Sequence, residues 1–209
     1  MKFDLHTHTY YSGCSNLKPM NLLKAAKKSG LDGIAVVDHN SMKGSLKVTE
    51  LNKDNNFHII PGMEIGTKAG HLLALDINEE IKARNIHEIY DEVKKQDGVL
   101  IIAHPFSFIP LHSFQLPIEE IKHHIDGIEV FNSRNGLFSN PISIKKATEF
   151  NLAMTGGSDA HFAFEVGNAY TEFEGDLKKA IKLKQTKAHG KIKYGPIGSI
   201  LSGLLKVVK

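Results

Sequence analysis

The chain has 209 residues, a formal net charge of +3, one cysteine and twelve histidines. This length is enough for one domain with a sizeable core, and a single cysteine excludes an internal disulfide and fits a reducing, cytoplasmic location. No stretch carries the roughly 18 apolar residues that a membrane span needs, and Asp4 and His6 interrupt any apolar region of the kind that opens a signal peptide.

Apolar periodicity divides the chain into alternating strands and helices. Strands are predicted within 1–10 and over 31–37, 57–64, 70–77, 98–103, 127–131 and 153–155. Helices are predicted over 18–29, 43–53, 85–96, 117–123, 141–150 and 175–184, with a short amphipathic helix over 198–208. The repeated order of strand and helix predicts a parallel α/β architecture in a single domain over 1–209, in which 57–64 and 70–77 are expected to form a hairpin.

The C-terminal part of the chain is strongly basic. Residues 177–209 hold nine lysines and neither aspartate nor glutamate, so the rest of the chain carries an excess of acidic residues. A solvated, lysine-rich face is the expectation for this segment, and attraction to nucleic acid or anionic lipid is the alternative.

Potential metal ligands lie at or just past the ends of the predicted strands. His6 and His8 are two residues apart in the first strand, so both side chains point to one side. The others are His39, Glu64, His104, Asp159 and His161. In a closed parallel barrel the C-terminal strand ends gather at one mouth, whereas an open sheet spreads them along a line. These seven residues therefore favour a barrel.

His71 begins the segment that follows Glu64 and is an eighth candidate, although that segment is expected to run antiparallel. Of the adjacent Asp38 and His39, which face opposite ways in a strand, we assign His39 as the ligand and Asp38 as a supporting residue. Mixed imidazole and carboxylate donors suit zinc, manganese or iron. Eight candidates exceed the roughly four to six ligands of one ion, so at least two ions are implied. A pair of ions about 3.5–4 Å apart can clamp both oxygens of a phosphoryl transfer and hold a bridging hydroxide.

Six motifs in one order resemble the PHP (polymerase and histidinol phosphatase) family over residues 3–161. They are Asp4-x-His6-x-His8, Asp38-His39, Gly62-x-Glu64, Gly70-His71, His104-Pro105 and Gly157-Ser158-Asp159-x-His161. The resemblance implies a distorted (βα)7, TIM-like barrel and a centre of two or three divalent ions that hydrolyses phosphoesters. It implies three ligand sets: His6, His8, Glu64 and Asp159; Glu64, His71 and His104; and His39 with His161.

The chain departs from the family pattern at the third of these sets. Many members place an aspartate or histidine five or six residues after the second histidine, where this chain has Gly13 and Cys14. Cys14 could bind a soft metal as a thiolate, but we expect a small buried residue. The departure leaves open whether a third ion binds.

Arg134 follows a predicted strand end and is expected to face the mouth. A guanidinium can bind phosphate through two parallel hydrogen bonds and stabilise the charge that develops during hydrolysis. A surface ion pair is the alternative role, and the resemblance favours the phosphate, because the family commonly has a polar, arginine-containing stretch at this point.

The expected function is hydrolysis of a small-molecule phosphoester by a cytoplasmic, metal-dependent phosphoesterase. One alternative is a PHP-like subunit or nuclease that binds nucleic acid through the basic segment 177–209. A metal-dependent amide or lactone hydrolase is disfavoured, because no lysine lies at a strand end beside the candidate ligands. The sequence identifies neither the phosphoester nor the oligomeric state.

Overall fold

The computed structural model describes residues 1–107, 113–135, 138–193, 198–199 and 201–204. Within these residues, nine strands lie in one mixed sheet and six α-helices accompany them. The strands are β1 (Lys2–Thr7), β2 (Gly33–Val36), β3 (His58–Thr67), β4 (Gly70–Leu75), β5 (Val99–Ile102), β6 (Gly127–Asn132), β7 (Ala153–Gly157), β8 (Ala169–Glu172) and β9 (Lys187–Gly190). The helices are α1 (Pro19–Lys28), α2 (Lys43–Leu51), α3 (Ile86–Lys95), α4 (Ile118–Ile121), α5 (Ser139–Glu149) and α6 (Leu177–Lys182).

The sheet curls into a nearly closed barrel with the strand order β7-β6-β5-β4-β3-β2-β1-β8-β9. Strands β1, β2 and β3 are parallel to one another, as are β5, β6 and β7. Strand β4 is antiparallel to both of its neighbours, so the predicted hairpin is confirmed. Because β4 runs opposite to β3 and β5 runs opposite to β4, β5 points the same way as β3. The predicted barrel is confirmed in this distorted form, with six C-terminal strand ends at one mouth.

Strands β8 and β9 were not predicted from the sequence. Each has four residues, AYTE and KAHG, and neither shows the apolar alternation that marks a strand. Strand β8 runs antiparallel to β1, and β9 runs antiparallel to β8. The hydroxyl of Thr171 in β8 accepts a hydrogen bond of 2.8 Å from the Gly156 amide of β7, so these strands join the two sides of the barrel.

The barrel closes where β1 meets the segment after β7. The His8 amide donates to the Ala160 carbonyl at 2.9 Å. The buried Asp4 carboxylate accepts bonds from the backbone amides of Ser158 and Gly167 at 2.8 and 2.9 Å, and also from the Ser158 hydroxyl. Glycine is needed beside this contact, since a Cβ on Gly157 would lie 2.4 Å from the Cβ of His6.

Helix α3 illustrates how the outer helices cover the sheet. Its buried residues Ile86, Ile89 and Val93 follow helical spacing and join the core cluster that contains Leu100 and Ile102 of β5. The Asn85 side chain caps its first turn by accepting a bond from the His87 amide. Among the residues that the structure describes, no helix has the length and apolar content needed to cross a membrane.

Part of the basic segment is paired at the end of the barrel opposite the mouth. Lys178 of α6 lies 2.9 Å from Asp76 and 3.0 Å from Asp97, and Lys182 lies 3.3 Å from Asp97. These aspartates follow the reversed β4 and precede β5, so they mark the N-terminal strand ends. The helix predicted over 198–208 lies only partly within the described residues, where 198–199 and 201–204 are helical.

Substitution of Asp4 by alanine is expected to destabilise the barrel closure. It leaves buried donors of Ser158, Gly167 and His6 without their acceptor, and each such loss costs about 1–3 kcal/mol. Burial raises the pKa of Asp4 to about 6, so ionisation of this buried carboxyl above pH 6 lowers the free energy of unfolding of the unaltered protein but not of the alanine variant. Urea denaturation at pH 5 should show a loss of about 3 kcal/mol or more in the free energy of unfolding, and the difference between the two proteins should shrink toward pH 8.

Asp32→Ala is the matched control, because the exposed Asp32 carboxylate accepts one bond, from the Lys2 amide at 2.7 Å. Its loss should be below about 1 kcal/mol. Equal effects of the two substitutions would contradict the role assigned to Asp4.

Candidate metal centre

All eight candidate ligands from the sequence meet at the C-terminal mouth of the barrel. In the part of the chain that the structure describes, four groups of three have ligand atoms within 4.8 Å of one another. They are His6–His8–Glu64, His6–His104–Asp159, Glu64–His71–His104 and His8–His39–His161. Strand β4 starts at this mouth because it is reversed, and this explains how His71, its second residue, joins residues from the ends of other strands.

Glu64 lies at the centre, with imidazole nitrogens beside both carboxylate oxygens. Its Oε1 atom is 3.0 Å from His71 Nδ1 and 3.1 Å from His104 Nε2. Its Oε2 atom is 2.8 Å from His39 Nδ1 and 3.4 Å from His8 Nε2. Burial alone would raise the pKa of Glu64, but neighbouring imidazoles, first among them His39, hold it well below its ordinary value. The carboxylate is therefore charged.

His6 is oriented by a second buried carboxylate. Its Nδ1 atom is 2.9 Å from Glu129 Oε1, and because a carboxylate only accepts, Nδ1 carries the proton. The Nε2 atom then faces inward, 3.1 Å from His8 Nε2 and 3.7 Å from Asp159 Oδ1. Side-chain alternation in β1 puts both histidines on one face, as the sequence predicts.

His8 is held by a relay through Ser12 to Asp38. The Ser12 hydroxyl donates to Asp38 Oδ1 at 2.6 Å, so it accepts at 3.1 Å from His8 Nδ1. Asp38 also accepts from the amide and the hydroxyl of Thr9, at 2.7 and 2.6 Å. Burial lowers the pKa of His8 to about 4, so its imidazole is neutral at pH 7 and Nε2 offers a lone pair toward Glu64 and Asp159.

Sequence reasoning missed Glu129 and Ser12. Glu129 in β6 also accepts from the His104 amide at 2.8 Å and from the Asn132 amide group at 3.0 Å. One signal was available, since a glutamate inside the apolar run Gly-Ile-Glu-Val-Phe needs a partner once it is buried. No comparable signal marks Ser12, whose partners depend on the turn that follows β1.

Two ligand candidates have backbone conformations that are rare outside glycine. His104 has φ of +28° and Asp159 has φ of +56°. Such conformations cost about 1–3 kcal/mol each and cluster at functional sites.

The carboxylate of Asp159 lies 3.3 Å from His8 Nε2. Burial would raise the pKa of Asp159, but His6 and His8 hold it well below its ordinary value.

Arg134 lies at the mouth as expected, but it has a partner that the sequence did not indicate. Its guanidinium donates to Glu165 in a bidentate pair, at 3.0 and 2.8 Å, and to the Ser202 hydroxyl at 3.0 Å. Glu165 in turn accepts from the His161 amide at 2.8 Å. Arg134 and six of the eight candidate ligands line a cavity of about 260 Å³.

Comparisons with known proteins match most of the chain. A family model described as PHP domain matches residues 4–97, and a model described as PHP-associated matches residues 138–185. An uncharacterized protein of Methanocaldococcus jannaschii, MJ0417, is 38% identical in an alignment 181 positions long that covers 83% of this chain and 70% of that protein. A protein of Thermoanaerobacter sp. named probable phosphatase is 29% identical in an alignment 212 positions long that covers 84% of this chain and 83% of that protein.

Solved structures share the fold at low sequence identity. A two-domain protein from Bacteroides vulgatus, described as containing a predicted PHP-like metal-dependent phosphoesterase, has a TM-score of 0.75 and 23% identity. The match covers 91% of this chain and 65% of that one, so the chain spans about two thirds of that structure's length. PsfC from Pseudomonas syringae has a TM-score of 0.70 and 19% identity, with 100% of this chain and 98% of that one covered. On the family model, on the relative above 30% identity and on the six motifs that meet at the mouth, the chain belongs to the PHP family.

Proposed function

We propose that this protein is a metal-dependent phosphoesterase that acts on small phosphoesters. The observation that carries the proposal is the buried Glu64 carboxylate, whose two oxygens face different groups of imidazoles. Membership of the PHP family and the name of the Thermoanaerobacter relative support the same reaction class.

The residues present fit a centre with more than one divalent ion. Among the described residues, Glu64 Oε2 is buried and makes no well-aligned hydrogen bond, although three imidazoles lie within 3.6 Å of it. We assign one ion to His6, His8, Glu64 and Asp159. We assign a second ion to Glu64, His71 and His104, with Glu64 shared between the two. Mixed nitrogen and oxygen donors favour zinc, manganese or iron.

Divalent ions held there would supply Lewis-acid polarisation of a phosphoryl group and would activate water at neutral pH. The protein's own side chains fix where this happens. Glu129 and Ser12 hold the tautomers of His6 and His8, so that both Nε2 atoms point inward. Arg134 lines the same cavity, but its Nε and Nη2 atoms donate to Glu165, so an ion pair, the alternative role named above, is present. Its role as a phosphate anchor stays a prediction.

The size and walls of the cavity favour a small substrate. Its volume is about 260 Å³, and Ser199, Ser202 and Gly203 of the C-terminal segment form part of its lining. Two of the three lysines of α6, Lys178 and Lys182, pair with aspartates at the opposite end of the barrel. A strand of nucleic acid in the mouth would not reach these two, whereas Lys191 follows β9 near the mouth, where its amide donates to the Asn168 carbonyl. On the size of the cavity we favour a phosphatase over a nuclease.

Removing a central ligand should abolish hydrolysis. Metal-reconstituted protein is expected to hydrolyse phosphomonoesters, and His8→Ala or Asp159→Ala should lower kcat/KM by at least about 1,000-fold, since each loses part of a charge-stabilising ion site. Bound metal should fall in parallel while circular dichroism stays native. His123→Ala, an exposed histidine remote from the cluster, should leave activity unchanged.

Failure of the unaltered protein to hydrolyse any phosphomonoester or nucleotide in a broad screen would count against the phosphatase. Efficient cleavage of oligonucleotides together with weak phosphomonoester hydrolysis would instead favour the nuclease alternative.

Glu129→Gln should weaken metal binding without removing any proposed ligand. The substitution keeps the shape but loses the charge that orients His6, and losses of this kind lower metal affinity about 10–100-fold. Competition with a chelator measures the affinity. Glu50→Gln, at an exposed surface position, is the control and should bind metal like the unaltered protein. Equal affinities in all three proteins would refute the role of Glu129.

Metal binding should release protons at pH 7. Burial alone would lower the pKa of His39, but Glu64 raises it to about 10, and the carboxylates of Glu129, Asp159 and Glu64 overcome burial to raise the pKa of His6. The His39 imidazole is therefore protonated at pH 7 without an ion, the raised pKa of His6 favours its protonated form as well, and ligation requires both imidazoles to be neutral. Metal affinity should increase with pH through the neutral range.

Calorimetric titration at pH 7 in buffers of different ionisation enthalpy measures this release. We expect at least about one proton per chain. Binding heats that do not depend on the buffer would show that these histidines are neutral before the ion binds.

A further inference from the structure

Cys14, the only cysteine of the chain, lies inside the metal centre. Its side chain is buried, and its Sγ atom is 3.0 Å from His161 Nε2. It also lines the same cavity as His39 and Glu64. The thiol thus contacts one candidate ligand directly and faces a cavity that others line, which a residue that only filled apolar space would not do.

The backbone fixes this position of the thiol. Gly13 precedes it with φ of +77°, a conformation that suits glycine and ends the short 3₁₀ turn at Tyr10–Ser12. The Ser15 hydroxyl, one residue after Cys14, donates to the His161 carbonyl at 2.9 Å. Cys14 and His161 are therefore held together by their neighbours as well as by their side chains.

His161 presents the correct nitrogen for a ligand. Its Nδ1 atom lies 2.8 Å from the Asp159 carbonyl, which can only accept, so Nδ1 carries the proton. The lone pair on Nε2 consequently points at the thiol. An orienting bond from one ring nitrogen to a backbone carbonyl is typical of histidines that bind metal through the other.

We propose that Cys14 binds as a thiolate to an ion shared with His39 and His161, next to His8. This inference rests on the proposed metal centre and adds to it a site with nitrogen and sulfur ligands. A tetrahedral ion with bonds of about 2.3 Å to sulfur and 2.0–2.1 Å to nitrogen holds these ligands roughly 3.5 Å apart. The present separation of 3.0 Å would need to widen by only about half an ångström.

The sulfur ligand determines which ions the site prefers. Thiolate is a soft donor, so zinc, cobalt(II) and iron(II) are favoured over manganese and magnesium. On binding, the thiol loses its proton to solvent and the sulfur donates an electron pair to the ion, with no change in oxidation state. The centre would then hold one thiophilic ion beside the two ions that share Glu64.

Cobalt(II) titration of the full chain under reducing conditions tests this assignment. The unaltered protein should develop the near-ultraviolet charge-transfer absorption of a cobalt–thiolate bond. Since Cys14 is the only cysteine, that absorption can come from no other residue. Cys14→Ser should lose it while keeping the visible bands of cobalt bound to the other ligands, and zinc retained after dialysis should fall by one ion per chain.

Absence of the charge-transfer band from the cobalt-saturated, unaltered protein would overturn the proposal, even if Cys14→Ser failed to fold. Equal zinc content in the two proteins would also overturn it. Phosphoester hydrolysis is measured separately. Activity without the band would refute the thiolate site and leave the phosphoesterase standing, whereas the band without activity would support the thiolate site and count against the phosphoesterase.

Discussion

The Glu64 carboxylate is 1% exposed, and imidazole nitrogens lie within 3.1 Å of each of its oxygens. A buried charge is costly unless positive charge comes close to it. Protonated histidines provide that charge in the absence of ions, and divalent ions would provide it more completely. Competition between protons and ions for the same imidazoles therefore governs the chemistry of the whole mouth.

The barrel is arranged to bring those imidazoles to one carboxylate. Strand β3 carries Glu64 to the mouth, and the reversed β4 returns His71 beside it. Strand β1 supplies His6 and His8 and is tied to the segment after β7 through the Asp4 carboxylate. Loss of that tie would separate His6 and His8 from Asp159. The closure of the barrel and the geometry of the site thus depend on the same contacts of Asp4.

A second layer of side chains sets the direction of each imidazole. Glu129 holds His6, the Ser12–Asp38 pair holds His8, and the Asp159 carbonyl holds His161. In each case the outer ring nitrogen donates a hydrogen bond to this layer, so the inner nitrogen faces the site and can bind an ion once it carries no proton. This layer allows the centre to be organised before any ion binds.

Local sequence pattern was sufficient for the barrel and for the positions of the eight candidates, because seven lie at or just past the C-terminal part of a strand that alternation or burial reveals, and His71 begins the second strand of a predicted hairpin. It could not indicate β8 and β9, because each has only four residues and neither shows a regular alternation of apolar and polar residues. It also could not pair Arg134 with Glu165, 31 positions away, or Cys14 with His161, 147 positions away. Those contacts depend on how turns at the mouth pack after the strands are in place. That each candidate binds a metal ion remains a prediction, which is based on the chemistry of its side chain and on its position at the mouth.

Anomalous X-ray diffraction from crystals of the metal-loaded protein, recorded at the absorption edge of the ion, would locate the bound ions. We expect two ions that share Glu64, one bounded by His6, His8 and Asp159 and the other by His71 and His104. A loaded crystal with no ion in contact with the Glu64 carboxylate would contradict this expectation.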